Sequence, residues 1–211
     1  MKKIIILCII MVYAIVHAES NVEKIIKQVQ KKYRDITVVY VDFKQVNRFK
    51  LTGIQNEVFG TLWIAQDNKF RFETEDQVMV SDGDKFWRYN KLENQVIIDY
   101  AKKSQNDVFL NNFLFNISDH YFSQIVSEEK VDKQKIYEIR LTPKNPDESY
   151  FKYIKVWLVD KSWDLKKVVY VDFNDNEVEY DIEEMKFNPE ISPDTFTFNT
   201  PEGADVVDLR F

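Results

Sequence analysis

The chain has 211 residues, 35 of them acidic and 29 basic, with a formal net charge of −6. A surface of that sign repels phosphate backbones, which argues against nucleic-acid binding. Aromatic residues make up 15% of the chain, 16 of them Phe, so a single domain of this length has a large apolar load to bury.

The amino end reads Met1-Lys2-Lys3, an apolar run from Ile4 to Val16, then His17-Ala18 before Glu19-Ser20. Charge, apolar segment and small-residue exit in that order make residues 1–18 a secretory signal peptide, cut after Ala18. The run is shorter than the roughly 20 apolar residues that a comfortable membrane span needs. Residues 19–211 are therefore expected to form one soluble, exported domain, with two fewer lysines and a net charge of −8. Cys8 sits inside the apolar run with no lipoprotein cleavage pattern before it, so no lipid anchor is expected. Its removal leaves no cysteine and no thiol chemistry.

Val22, Ile25, Ile26, Val29 and Tyr33 recur at helical spacing across residues 21–34, with polar residues between them. Ser20 or Asn21 can cap this helix. From Ile36 the period falls to two, with Val39, Val41 and Phe43 alternating against Tyr40, Asp42 and Lys44. Strand-like runs follow at 58–64, 70–74, 78–81, 86–89 and 96–100, separated by short polar turns. Residues 104–120 break the rhythm with Val108, Phe109, Leu110, Phe113, Leu114, Phe115 and Ile117, which suits one or two short helical turns ending near Asp119-His120. Strands resume at 121–126, 136–141, 153–159, 166–173 and 178–187, and a last short segment is expected at 195–198. About eleven antiparallel strands in one sheet would curl into a barrel or part of one.

Catalytic constellations are sparse. His120 is the one histidine after the leader, and a histidine beside an apolar insertion reads as a helix-end or packing residue. There is no serine elbow, no His-Glu-x-x-His and no phosphate loop among only four glycines. Neither an enzyme nor a cofactor site is expected. Asp172 to Glu177, with Glu183 at the twelfth position, imitates calcium-loop spacing, but Glu177 stands where the sharp turn needs glycine. A hairpin explains the run better, and no metal site is expected. Asp82-Gly83-Asp84 before Lys85-Phe86-Trp87-Arg88-Tyr89 can be read as a sugar-stacking loop or, more simply, as a tight hairpin. Leu62-Trp63-Ile64, Phe70 with Phe72, and Val96-Ile97-Ile98 suggest strands apolar on both faces, which must be covered twice or face a cavity.

Several segments together resemble one family. They are Val41-Asp42-Phe43-Lys44-Gln45, Gly60-Thr61-Leu62-Trp63-Ile64, Lys69-Phe70-Arg71-Phe72-Glu73, the aromatic strand after Ser81-Asp82-Gly83, Leu141-Thr142-Pro143-Lys144, and the ending Pro201-Glu202-Gly203-Ala204-Asp205-Val206-Val207. This is similar to the outer-membrane lipoprotein carrier protein LolA. The resemblance implies an unclosed antiparallel barrel with a helical lid, no catalytic activity, and a monomeric periplasmic shuttle. Such a shuttle takes triacylated lipoproteins from an ATP-driven inner-membrane exporter and passes them to an outer-membrane acceptor. A lipid- or lipoprotein-sensing module of similar shape is the rival expectation, and a carbohydrate-binding or hydrolytic periplasmic protein is a second.

On that basis Phe43, Leu62, Ile64, Phe70, Phe72 and Phe86 are expected to line the lipid cavity, with Ile25, Val29, Phe109, Phe113 and Leu114 on the lid. Many members carry a basic residue and a proline in the turn between the second and third strands. Here Ala65-Gln66-Asp67-Asn68 leaves Gln66 as a neutral candidate latch.

Overall fold

The computed structural model describes residues 21–101 and 117–210. It contains helix α1 (Asn21–Tyr33) and twelve strands: β1 (Val38–Arg48), β2 (Gln55–Ala65), β3 (Lys69–Thr74), β4 (Gln77–Asp82), β5 (Lys85–Asn90), β6 (Gln95–Tyr100), β7 (Tyr121–Val131), β8 (Gln134–Pro143), β9 (Phe151–Val159), β10 (Leu165–Asp172), β11 (Glu177–Phe187) and β12 (Asp205–Asp208). All twelve belong to one sheet, in the order β12-β6-β5-β4-β3-β2-β1-β11-β10-β9-β8-β7. The sheet does not close, since β12 and β7 are its two edges. It is an incomplete barrel, and the expected α1 and eleven antiparallel strands are all present. Residues 1–20 and 102–116, which carry the leader and the lid candidates Phe109, Phe113 and Leu114, lie outside the described residues; residues 117–120 are helical.

The carboxyl end departs from expectation. Residues 193–196 form turns rather than a strand, and the twelfth strand is Asp205–Asp208, which runs parallel to β6 in an otherwise antiparallel sheet. Between β11 and β12 the chain crosses the outer face of β2 to β5. Asn188 starts the crossing, its side-chain oxygen accepting from the Thr37 and Val38 amides at 2.8 and 3.1 Å. Arg71 donates to the Thr197 carbonyl at 3.4 Å, and Phe198 packs beside Trp87 and Tyr89 with ring centroids 6.3 and 6.1 Å away. This strap covers Val78 and Val80, which are buried although they face away from the interior. Trp63 lies beside the same strap and Val96 is held between Tyr89 of β5 and Val206 of β12, whereas Phe70 and Phe72, two positions apart, share one face. Trp87 and Tyr89 are thus half-buried under Phe198 rather than set out for a sugar.

Turn chemistry follows local sequence. Asp67 and Asn68 both have positive φ, 60° and 58°, as a two-residue primed turn requires, and Lys69 donates back to the Gln66 carbonyl. Gly83 has φ +99°, and a Cβ there would stand 2.5 Å from the Asp67 carbonyl oxygen, so glycine meets both a backbone and a space requirement. The Asp172 to Glu177 run is a hairpin turn in which Asp172 Oδ1 accepts from the Asn174 and Asn176 amides, both at 2.8 Å.

Helix α1 buries Ile25, Ile26, Val29 and Tyr33 and turns its charged residues outward. At its last turn, Tyr33 donates to the Trp163 carbonyl at 3.3 Å and packs edge-on against Phe187 at 5.6 Å. Lys32 pairs with Asp164 in the turn between β9 and β10. Partial burial raises the Asp164 carboxyl, but the hydrogen bonds from Lys32 and Ser162 and the charge of Lys32 outweigh it, so the group ends below its ordinary value.

Two expectations follow from this packing. Gly60 lies opposite Phe43 across β1 and β2, and a Cβ there would stand 2.6 Å from the Phe43 ring and 2.6 Å from the Glu73 carbonyl oxygen. Gly60→Val should cost roughly 1–3 kcal/mol in urea unfolding, whereas an unchanged midpoint would mean that the ring and β3 yield freely. A carboxylate with a lowered folded pKa stabilises above its unfolded value, about 3.9, and loses that contribution as pH falls through the folded value. Asp164→Asn should therefore lower thermal stability at pH 7 by less than about 1 kcal/mol, the pair being partly solvent-exposed. The difference from wild type should vanish in strong acid, and a difference that persisted there would assign the effect to something other than the ion pair.

Candidate functional site

The inward face of the sheet forms one apolar surface that spans both halves of the chain. Phe43, Leu62, Ile64, Phe70, Phe72 and Phe86 are all buried in the same cluster as Ile25, Ile26, Val29 and Tyr33 of α1. The alternation of each strand puts them there: Val41 faces Leu62, Leu62 faces Phe72, and Phe72 faces Met79 across successive strand pairs. Side chains directly opposite on one face are the contact units of a sheet.

An aromatic series runs across this face. Phe86 approaches Phe70 at 5.9 Å, and Phe72 stacks on Phe43 at 5.2 Å. Phe43 meets Tyr180 edge-on at 5.3 Å, Tyr180 meets Tyr170 at 5.9 Å, and Tyr170 meets Phe151 at 4.7 Å. The sequence reading found the first half of the series and missed Tyr180, Tyr170 and Phe151. Their signal was present in Val168 with Tyr170 and Val178-x-Tyr180-x-Ile182, each at period two. The far half of the sheet also contributes Ile139, Leu141, Ile154, Val156 and Leu158, all inaccessible to solvent.

The electrostatics of this interior are those of an uncharged surface. Burial pushes up the phenols of Tyr33, Tyr170 and Tyr180, with the neighbouring Tyr180 and Tyr121 adding to the rise at Tyr170. At neutral pH all three are therefore neutral. A charged network lies on the outer face: Glu179 receives both Arg48 terminal nitrogens at 3.2 Å and Lys167 at 3.4 Å, while Lys167 also reaches Asp181 at 3.0 Å. Burial works against the Glu179 carboxylate, and these cations hold it below its ordinary value despite that.

The remaining sequence candidates sit at the margins. Gln66 is exposed at the first position of the β2–β3 turn. Arg88 of β5 places its guanidinium 5.6 Å over the Phe86 ring, so a cation does lie along the apolar face, on a strand rather than in that turn. His120 is exposed at the end of the helical residues 117–120, and its carbonyl accepts from the Lys144 amide at 2.9 Å.

Residues 34–199 match the family model described as outer membrane lipoprotein carrier protein LolA. An uncharacterized protein of Methanocaldococcus jannaschii is 25% identical over 193 residues, which are 90% of this chain and 54% of that protein, so the chain spans about half of that relative's length. An outer-membrane lipoprotein carrier protein of Chromohalobacter salexigens is 27% identical over 157 residues, 72% of this chain and 71% of that protein. The crystal structure of an uncharacterized conserved protein from Thermus thermophilus superposes with a TM-score of 0.57 at 13% identity, over 88% of this chain and 98% of that one, and shares the fold. A sheet left open around one apolar face, with a family match over most of its strands, makes this chain a member of the LolA family.

Proposed function

We infer that this chain is an exported carrier that holds the acyl chains of lipoproteins against the inward face of its sheet. It takes its cargo from an ATP-driven exporter in the inner membrane and gives it up to an acceptor in the outer membrane. The leader at residues 1–18 puts it in the periplasm, and neither cofactor nor catalysis enters the task. The observation that carries this reading is the apolar and aromatic face from Phe86 to Phe151, on which the amphipathic helix α1 buries its apolar side. Each methylene moved from water to such a surface is worth about 0.8 kcal/mol, so acyl chains favour it strongly. Phe43, Leu62, Ile64, Phe70, Phe72 and Phe86 are the proposed lining, and Ile25 and Val29 the part of the lid that α1 supplies. Cargo and helix would compete for the same side chains, which gives the binding-competent state by population shift.

The test mixes residues 19–211 with membranes that carry a labelled triacylated lipoprotein and an exporter, adds ATP, and counts label in the soluble fraction. A one-to-one soluble complex is expected. No release from an exporter shown to be active would leave the sensing module as the better reading. Benzophenone placed at position 70 should cross-link to the acyl chains and at position 87, on the outer face, should not. Equal yields from the two positions, or undiminished complex formation by Phe70→Glu, would remove Phe70 from the lining.

A further inference from the structure

We propose that the β1–β2 hairpin tip, together with the adjacent β10–β11 turn, docks reversibly on the surface of a phospholipid bilayer. Leu51 at the tip is 96% exposed, Ile54 59% and Phe49 44%, and Phe173 in the neighbouring turn is 57% exposed. Large apolar side chains gathered on one exposed feature mark an interaction site.

These side chains are held outward by a built loop. The Phe49 amide donates to the Ile54 carbonyl and the Gly53 amide to the Phe49 carbonyl, both at 2.9 Å. Gly53 supplies the positive φ, 67°, that the turn needs. The Lys50 amide donates to Asn176 Oδ1 at 3.0 Å and ties the hairpin to the β10–β11 turn, so that Phe173 shares the same end. The tip also stands clear on the β3 side. Pairing of β2 with β3 begins only at Gly60, leaving Gln55 to Phe59 bonded to β1 alone.

The occupant follows from shape and charge. The cleft beside the tip is lined by the charged Arg48, Lys50, Asp175 and Glu177 as well as Phe49 and Ile54, and Leu51 and Phe173 stand outside it; a bilayer interface accepts such exposed apolar side chains without a matching pocket. The tip itself, residues 49–56, contains Lys50 and no acidic residue, in a chain of net charge −6, while Lys44 and Arg48 further along β1 are paired with Glu57 and Asp181 and with Glu177 and Glu179. The acids of the adjoining turn are already engaged: Asp175 with Lys152 at 2.8 Å, Glu177 with Arg48 at 3.8 Å, and Asp172 with the turn amides. The rest of the acidic surface limits contact with anionic headgroups, and this end is where that repulsion is relieved.

Residues 19–211, which include every described element, are sedimented with vesicles of phosphatidylethanolamine and phosphatidylglycerol and, separately, of phosphatidylcholine. Wild type should partition onto one or both, and Leu51→Asp with Ile54→Asp should partition at least about tenfold more weakly, two apolar contacts having been removed. Because both positions are exposed, the variant should melt as wild type does. Leu51→Trp provides a second measurement, with blue-shifted emission quenched by brominated lipid. No partition of wild type onto either vesicle, or partition that the double substitution leaves unchanged, overturns the proposal, as does a Leu51→Trp emission that lipid does not move. Phe70→Glu should lose cargo and keep vesicle docking, so failure of the carrier reading and failure of this one give different results.

Discussion

A curved sheet with an apolar inner face is stable in water only if something covers that face, and here α1 does so together with Ile117. The helix has four buried side chains, a half-buried Val22 and otherwise polar or charged residues, so it can lie on the sheet but cannot be part of a larger core. Leaving the sheet open follows from the same constraint. A barrel closed edge to edge around this many aromatic rings would fill itself, whereas a sheet whose edges β7 and β12 stay apart can meet a helix or a ligand on the same surface.

The outer face is managed differently in its two halves. Over β2 to β5 the C-terminal strap lays Phe198 beside Trp87 and Tyr89 and buries Val78 and Val80, so that half is apolar on both sides. Over β10, β11 and β1 the outer face is a ladder of ion pairs centred on Glu179, with Lys167 also 5.7 Å from the Trp157 ring. One half of the sheet is thus fixed by packing on two faces. The other buries Val46, Val169 and Val171 beneath that ion-pair ladder, between the same strands that carry the charges.

Much of this was legible in the sequence because it rests on period and turn chemistry. Eleven strands, α1 and the hairpins at Gly83 and Asp172 follow from alternation, helical spacing and positive-φ residues. The inward direction of Phe43 to Phe86 was not fixed by alternation, which gives two faces without saying which is inside. The strap was hidden because Thr195 to Phe198 alternates like a strand yet forms turns and coil; its role comes from Phe198 meeting two rings more than a hundred positions earlier. β12 escaped for a related reason, since a four-residue parallel edge strand takes its hydrogen bonds from β6 and carries little pattern of its own. The two-faced apolarity that sequence alone could assign to a cavity is in part the footprint of that strap.

The cover is matched in energy by one acyl chain and outweighed by three. Burying four side chains such as Ile25, Ile26, Val29 and Tyr33 is worth roughly 6 to 12 kcal/mol, and a single acyl chain of about a dozen methylenes is worth about 10. A helix that bound the face much more weakly would leave cargo with no competitor at release, and one that bound much more strongly would never admit it. The polar anchors of α1 bear on how it yields. Gln30 accepts from Ser118, Lys32 pairs with Asp164, and Tyr33 donates to the Trp163 carbonyl, all within the last turn, three residues or more before the chain enters β1. Those bonds fix the carboxyl end of the helix to the sheet that follows it. Cargo that displaces α1 must therefore break these bonds as well as the apolar contacts of Ile25, Ile26, Val29 and Tyr33.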